Sequence, residues 1–358
     1  MSVWTVVGLL AGLAGLVIGA EMLVKGAASI AGKFGIPPVI IGLTVVALGT
    51  SAPELAVSIS AALSGEADLA LGNVVGSNTF NILMVLGVSA VIGGLAVTQR
   101  LVRLDVPLLL VISVVVMLMC LDNEVSRIDG AILFAGIVVY TLWLIREARR
   151  DPAVAPEVDD LVVERPLAVH IGFVVVGLGI LIVGSQLLVG AATDIAEAAG
   201  LSDLVIGLTI VAVGTSTPEL ATSIMAAYRG QRDLAVGNVV GSCVFNLLAV
   251  LGATAVVSSE PIGVSDAALR LDLPVMLAAT FVLLPIFWNG FSVRRWEGAM
   301  LVVFYIVYVT YLILDTSDHA ASSVVGPSAL IVTALVLLTL SVTGVQGWRR
   351  HRAAVQAA

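Results

Sequence analysis

Long apolar runs separated by short polar connections dominate this chain of 358 residues. A membrane-spanning helix needs about 20 mostly apolar residues, and eleven stretches come close to or exceed that length. The predicted spans are residues 3–32, 37–63, 68–95, 105–121, 128–148, 167–199, 203–228, 233–258, 271–290, 297–314 and 324–346. The longest polar stretch, residues 146–165, is too short for a folded soluble domain. The pattern therefore predicts an all-α integral membrane protein.

Composition supports the same class. Apolar residues make up 59% of the chain and charged residues 12%, against about 45–50% and about 25% in soluble domains. The mean hydropathy is +1.11. The net charge of −8 provides no basic stripe, which argues against nucleic acid as a partner. Cys120 and Cys243 both lie inside apolar runs, so no disulfide framework is expected.

The distribution of positive charge predicts the orientation. With the N-terminus outside, the inner connections and the tail carry 14 Lys and Arg residues, whereas the outer connections carry only Arg127 and Arg270. Inner loops are enriched in Lys and Arg in membrane proteins generally. We therefore expect a multi-pass protein of the cell inner (plasma) membrane, with the N-terminus outside and the C-terminus inside.

The chain contains an internal repeat at an offset of 165 residues. Residues 41–59 and 206–224 are identical at 15 of 19 positions, and residues 69–87 and 234–252 at 14 of 19. Five predicted spans separate the two copies, so equivalent helices run in opposite directions. Inverted repeats are typical of secondary transporters, whose substrate site lies near the bilayer midplane.

The repeat also predicts the domain organisation. Residues 1–148 form the first repeat of five helices, residues 149–166 a cytoplasmic linker, and residues 167–314 the second, inverted repeat. Together they make a ten-helix core. Residues 315–358 add a predicted eleventh transmembrane helix and a basic cytoplasmic tail.

A proline next to a glutamate marks the centre of each copy, in GTSAPE (49–54) and GTSTPE (214–219). Proline removes a helical hydrogen bond, so Pro53 and Pro218 leave backbone carbonyls within 47–49 and 212–214 as candidate oxygen ligands. Glu54 and Glu219 follow directly. An ionised side chain at the bilayer centre costs at least about 2.5–3.5 kcal/mol. Two carboxylates at symmetric positions therefore indicate a bound cation.

The second motif adds neutral oxygen donors. Ser77 and Asn81 are four residues apart, as are Ser242 and Asn246, so each pair shares one helix face. With the hydroxyls of Thr50 and Thr215 and the carbonyls, the paired set consists of hard oxygen donors and contains no histidine or cysteine. Such a set fits Ca²⁺ and Na⁺ and disfavours zinc, copper and iron.

At these motifs the chain resembles the cation/calcium antiporter superfamily, specifically prokaryotic sodium/calcium exchangers. The resemblance covers residues 5–314 and implies a central site of Glu54, Asn81, Glu219 and Asn246. It also implies alternating access, with helices 1 and 6 sliding across the core. The Na⁺ sites implied by the resemblance use hydroxyls and two carbonyls from both repeats: Thr50, Ser51, Ser77, Thr215, Ser216, Ser242, Ala47 and Ala212.

The resemblance implies transport and not enzymatic catalysis, with Ca²⁺ and Na⁺ as transported ions and no organic cofactor. We expect the protein to function in the lipid bilayer as a monomer. Several relatives carry aspartate where this chain has Asn246, so the asparagine argues against potassium dependence. The nearest alternative is an H⁺/Ca²⁺ antiporter of the same superfamily, in which Glu54 and Glu219 carry protons. A cation channel and a membrane enzyme are weaker alternatives.

Overall fold

A computed structural model describes residues 3–64, 67–150, 166–198 and 212–316. Most of the predicted linker, the start of the seventh predicted span and the whole predicted span 324–346 lie outside these residues. The described residues of the first half form eight α-helices: α1 (Val3–Phe34), α2 (Pro38–Ile41), α3 (Ala47–Thr50), α4 (Ala52–Leu63), α5 (Ala67–Phe80), α6 (Leu86–Gly93), α7 (Val106–Met119) and α8 (Arg127–Arg150).

The second half repeats this order. Its helices are α9 (Leu167–Ala198), α10 (Ala212–Thr215), α11 (Thr217–Tyr228), α12 (Arg232–Phe245), α13 (Leu251–Val257), α14 (Leu273–Trp288) and α15 (Arg295–Thr316). Where the structure describes the chain, π-helical turns continue several of them, at Gly42–Val46, Asn81–Val85, Leu101–Asp105, Asn246–Val250 and Ala268–Asp272. Four two-residue strands lie between helices, β1 (Leu95–Ala96), β2 (Glu124–Val125), β3 (Ile262–Gly263) and β4 (Ser292–Val293), and Cys120–Asp122 form a 3₁₀ turn.

The helices confirm the all-α membrane class. Within the described ranges, eight continuous helical segments are long and apolar enough to span a membrane. A ninth span is formed by Pro38–Thr50 and Ala52–Leu63, which meet at a bend of 43°. These nine segments correspond to nine of the eleven predicted spans.

Two span boundaries differ from the prediction. The helices predicted to begin at residues 105 and 271 are already helical before those residues and contain π-helical turns at Leu101–Asp105 and Ala268–Asp272. Pro107 and Pro274 follow directly, and proline lacks the N–H that continues an α-helix. The wider π turn carries the helix across this point, so the proline does not mark its start.

The strands show that the two halves are inverted. β1 pairs with β4 and β2 pairs with β3, so each ribbon joins the two halves. The helical segment Leu101–Asp122 runs from β1 to β2 and, at about 1.5 Å per residue, separates the two ribbons by the thickness of a bilayer core. The third span ends at β1 and its equivalent, the eighth, ends at β3. Equivalent helices therefore end at opposite sides of the molecule.

The two long helices α1 and α9 pack directly against each other through glycines. A Cβ added at Gly12 would lie 2.7 Å from the Leu188 nitrogen, and one added at Gly177 would lie 2.8 Å from the Leu23 nitrogen. Gly19 and Gly184 make similarly close backbone approaches. Small residues let membrane helices approach this closely. We call α1 and α9 together the gate pair.

Candidate ion-binding site

The two proline-containing motifs interrupt their helices at the same place. Ser51 separates α3 from α4 with φ −81° and ψ 4°, and Ser216 separates α10 from α11 with φ −89° and ψ 8°. In each case the proline occupies the first turn of the new helix, where its missing N–H costs nothing. Glu54 and Glu219 lie in that same turn, near the positive end of the helix dipole.

Each glutamate is contacted by the serine of the opposite repeat. The Ser216 hydroxyl donates to Glu54 Oε1 at 2.8 Å, and the Ser51 hydroxyl donates to Glu219 Oε1 at 3.2 Å. Within its own repeat, the Ser77 hydroxyl lies beside Glu54 and that of Ser242 beside Glu219. The two motifs therefore form one site across the repeat junction, in which each half completes the other.

The side chains of the site are buried and short of hydrogen-bond partners. Glu54, Glu219, Asn81 and Asn246 are all 0% exposed. Among the described residues, no hydrogen-bond partner reaches Oε2 of either glutamate or either side-chain polar atom of the two asparagines. Buried polar atoms are normally paired, and a buried unpaired carboxylate is costly. Unpaired acceptors of this kind are oxygens that a cation would satisfy.

The asparagines occupy equivalent backbone positions. Asn81 and Asn246 are each the first residue of a π-helical turn. A π turn widens the helix by one residue and is frequent at functional sites. Each π turn begins one helical turn after Ser77 or Ser242. The serine hydroxyl and the asparagine amide of each repeat therefore remain neighbours on the helix face that their spacing predicts.

Two further asparagines flank the site, and the sequence reading did not single them out. The Thr50 hydroxyl donates to Asn238 Oδ1 at 3.3 Å, and the Thr215 hydroxyl donates to Asn73 Oδ1 at 3.4 Å. Their amide groups donate to a serine of the preceding helix, Asn73 to Ser58 at 3.0 Å and Asn238 to Ser223 at 2.9 Å. The signal was present, because both asparagines occupy the same place in the repeated GNVVGS segment.

The backbone carbonyls at the helix breaks accept more hydrogen bonds than the presence of the prolines alone predicts. The Ala47 carbonyl accepts the Ser51 N–H at 2.9 Å and the Thr50 hydroxyl at 3.4 Å, so the break does not leave it unpaired. Pro218 has no N–H to donate to the Gly214 carbonyl. That carbonyl instead accepts a hydrogen bond from the Ser185 hydroxyl of α9 at 2.6 Å. Ala212 begins α10, where the described backbone resumes.

The arrangement defines a class of protein. Two inverted halves enclose two buried carboxylates at a pair of broken helices, as in secondary transporters. The chain matches the family described as sodium/calcium exchanger protein over residues 4–146 and 169–314. It belongs to that family and is a cation/calcium antiporter, which confirms the resemblance seen in the motifs.

Curated relatives and a solved structure match nearly the whole chain. The putative antiporter CaxA of Alkalimonas amylolytica is 40% identical, covering 86% of this chain and 98% of the relative. The sodium/calcium exchanger MaX1 of Methanosarcina acetivorans is 30% identical, covering 85% and 97%. The structure of the sodium–calcium exchanger NCX_Mj soaked with zero Na⁺ and Ca²⁺ superposes with a TM-score of 0.75, at 29% identity over 87% of this chain and 100% of that one.

Proposed function

We propose that this chain exchanges Na⁺ for Ca²⁺ by alternating access, at a site centred on Glu54, Glu219, Asn81 and Asn246. The observation that carries the proposal is the pair of buried carboxylates whose second oxygens lack partners. Ca²⁺ takes about 6–8 oxygen ligands in a flexible shell. Two carboxylates neutralise one Ca²⁺, and the two amide oxygens add neutral ligands beside them.

Na⁺ competes for the same oxygens. Its ligands are the hydroxyls next to each glutamate and the carbonyls at each helix break: Thr50, Ser51, Ser77, Thr215, Ser216, Ser242, Ala47 and Ala212. The Ala47 carbonyl joins this set when an ion takes the place of the Thr50 hydroxyl, which donates to it at 3.4 Å. Several Na⁺ ions therefore occupy the space that one Ca²⁺ occupies in the other half of the cycle.

Charge explains why such a carrier exchanges ions and does not leak. An empty site leaves two buried, mutually repelling carboxylates, which makes movement of the gate pair across the site costly. Ca²⁺ or Na⁺ removes that cost. The gate pair then slides over the filled site and opens it to the other side. Exchange therefore needs an ion in each direction.

The direction of transport follows from the Na⁺ gradient. With Na⁺ higher outside the inner membrane, Na⁺ entry drives Ca²⁺ out. Each net charge that crosses contributes about 2.3 kcal/mol per 100 mV of membrane potential. The site lies within one chain and needs no residue from a second copy, which supports a monomer as the functional unit.

Transport by purified protein in liposomes tests the proposal. Ca²⁺ uptake is measured with Na⁺ inside the vesicles, and separately with a pH gradient and no Na⁺. Uptake that requires Na⁺ supports the proposal. Uptake with the pH gradient alone assigns the carboxylates to protons and makes the chain an H⁺/Ca²⁺ antiporter, whereas flux without a counter-ion indicates a channel.

A further inference from the structure

The gate pair is attached to the second repeat by two contacts that the repeat does not explain. Glu21 of α1 forms an ion pair with Arg229, the C-cap residue that follows α11. Ser185 of α9 donates to the Gly214 carbonyl at 2.6 Å. One contact comes from each helix of the gate pair, and both reach the proline-broken span that carries Glu219.

Neither contact has a counterpart in the first repeat. At the offset of 165, Glu21 corresponds to Gln186 and Arg229 to Ser64, which cannot form an ion pair. Ser185 corresponds to Ala20, which has no hydroxyl for the equivalent Gly49 carbonyl. The ion-binding residues are paired across the two repeats, whereas these two attachments exist on one side only.

The packing of the gate pair also favours the second repeat over the first. α1 lies along α11, and within the described residues α9 has no comparable packing along α4. Val57 on α4 is 45% exposed, whereas its equivalent Thr222 on α11 is 0% exposed. The Cβ position of Gly93 lies 3.2 Å from the Ala227 carbonyl, which places this end of α11 beside β1. The gate pair therefore covers the site on the side of the β1–β4 ribbon.

We propose that the Glu21–Arg229 ion pair and the Ser185–Gly214 hydrogen bond form a latch. The latch holds the gate pair over α11 and favours the state closed on the β1–β4 side over its inverted counterpart. The inference rests on the proposed alternating access, because a latch needs a second state to oppose. It assigns Glu21, Arg229 and Ser185 as positioning residues that contact no transported ion.

The ion pair is suited to opening and closing. Glu21 is 31% exposed and Arg229 36% exposed, so neither side chain is enclosed by the protein when the pair separates. Lys25 lies 2.7 Å from the same Glu21 oxygen and remains on α1 in every position of that helix. Glu21 thus keeps one cation when α1 moves and loses only Arg229.

A distance measurement tests the latch without requiring transport. Nitroxide labels on Leu10→Cys of α1 and on Leu121→Cys of the core report the position of the gate pair, since these sites are 61% and 56% exposed. Cys120 and Cys243 are buried and do not compete for the label. We expect one dominant distance in the unsubstituted background. Glu21→Gln and Ser185→Ala should each raise the share of a second distance at least about 2-fold.

Two charge variants serve as matched controls. Lys25→Gln removes a charge from the same helix but keeps the Glu21–Arg229 pair. Asp266→Asn breaks the Asp266–Arg270 pair, which lies away from the gate pair with side chains 77% and 80% exposed. Both should retain the single distance. An unchanged distribution in Glu21→Gln and Ser185→Ala, or the same change in Asp266→Asn, overturns the latch.

Transport gives a second readout on oriented vesicles. Apparent affinity scales with the share of molecules whose site is open to that side. Glu21→Gln should therefore strengthen apparent Ca²⁺ affinity on the β1–β4 side and weaken it on the other side. Equal changes on both sides would overturn the latch. Failure of the unsubstituted protein to exchange Na⁺ for Ca²⁺ would refute the proposed function, while the distance measurement would still decide the latch.

Discussion

The two ends of the ion site have the same chemistry and different surroundings. At one end Thr50 donates to Asn238, and both side chains are buried. At the other end Thr215 donates to Asn73, and both are only partly buried. The residues are equivalent in the repeat, so ligand identity does not cause the difference. The position of the gate pair does, because it covers α11 and leaves α4 more exposed.

The two ends differ in burial but not in the oxygen ligands they offer, so these two properties have different structural causes. The motifs determine which oxygens line the proposed ion site, and these are nearly the same in both halves. The packing of the gate pair determines which end is the more buried. Substitutions in the carboxylates should therefore affect both ends alike, whereas substitutions in the flanking asparagines should not.

Removing one of the two central charges should have the largest effect on Ca²⁺ binding. Glu54→Gln and Glu219→Gln should each weaken Ca²⁺ binding at least about 100-fold, because loss of one partner of a buried ion pair costs about 3–5 kcal/mol. Both are 0% exposed, so we expect effects of similar size. Titration of purified protein with Ca²⁺ measures them, with the exposed Glu124→Gln as the control. Binding at the level of the unsubstituted protein in either variant would remove that glutamate from the site.

Substitutions of the flanking asparagines should have the next largest effects, and these effects should differ between the two ends of the site. Asn238→Ala should weaken apparent Na⁺ affinity about 10- to 100-fold, the usual cost of losing a residue that orients ion ligands. Asn73→Ala should cost less, because water replaces its amide at the more open end. Na⁺-dependent Ca²⁺ uptake as a function of Na⁺ concentration measures both. Equal losses would show that the difference in burial has no functional weight.

The serines that cross the repeat junction should have smaller effects. Ser216→Ala removes a 2.8 Å bond to Glu54, and Ser51→Ala removes a 3.2 Å bond to Glu219. A hydrogen bond to a charged group contributes about 1.5–3 kcal/mol, so we expect roughly 10-fold weaker ion binding or more, with Ser216→Ala the more severe. Threonine at either position keeps the hydroxyl and should restore most of the affinity. A threonine variant as weak as the alanine variant would assign the loss to packing.

The gate pair should show the smallest effect and no difference between the halves. Gly12→Ala and Gly177→Ala are equivalent, and each places a methyl group against the backbone of the other helix. Overpacking of this kind costs about 1–3 kcal/mol and should lower Tm by about 2–4 °C per kcal/mol. Gly8→Ala is the matched control, since its nearest contact is 3.6 Å. Thermal unfolding in detergent measures the Tm of each variant. Unequal decreases in Tm for Gly12→Ala and Gly177→Ala would show that the interface between α1 and α9 is not symmetric.

Much of this architecture follows from the sequence because its physical signals are local. Spans are visible as apolar runs, and the repeat is visible as identity at a fixed offset. Proline beside glutamate predicts the broken helices, which the structure places around Ser51 and Ser216. The sequence does not reveal the π turns, because a widened turn has no distinctive composition. The start predicted at residue 105 therefore lies after the π turn Leu101–Asp105, which is already part of the helix.

The contacts between the halves could not be predicted in the same way. That Ser216 bonds Glu54, and Ser51 bonds Glu219, depends on how two inverted repeats dock, which no local pattern encodes. Asn73 and Asn238 were overlooked because an amide inside a helix is a common packing residue. Their role appears only when Thr215 and Thr50 are seen to donate to them.

The crossed serine–glutamate contacts also bear on how such a chain arises. A single repeat would bury its glutamate without the serine that bonds it, since that serine belongs to the other copy. A half-length ancestor would complete its site only by pairing with a second molecule inserted in the opposite direction. One polypeptide that carries both repeats fixes the two orientations. The halves are then free to diverge wherever their roles differ, as Glu21 and Ser185 have done relative to Gln186 and Ala20.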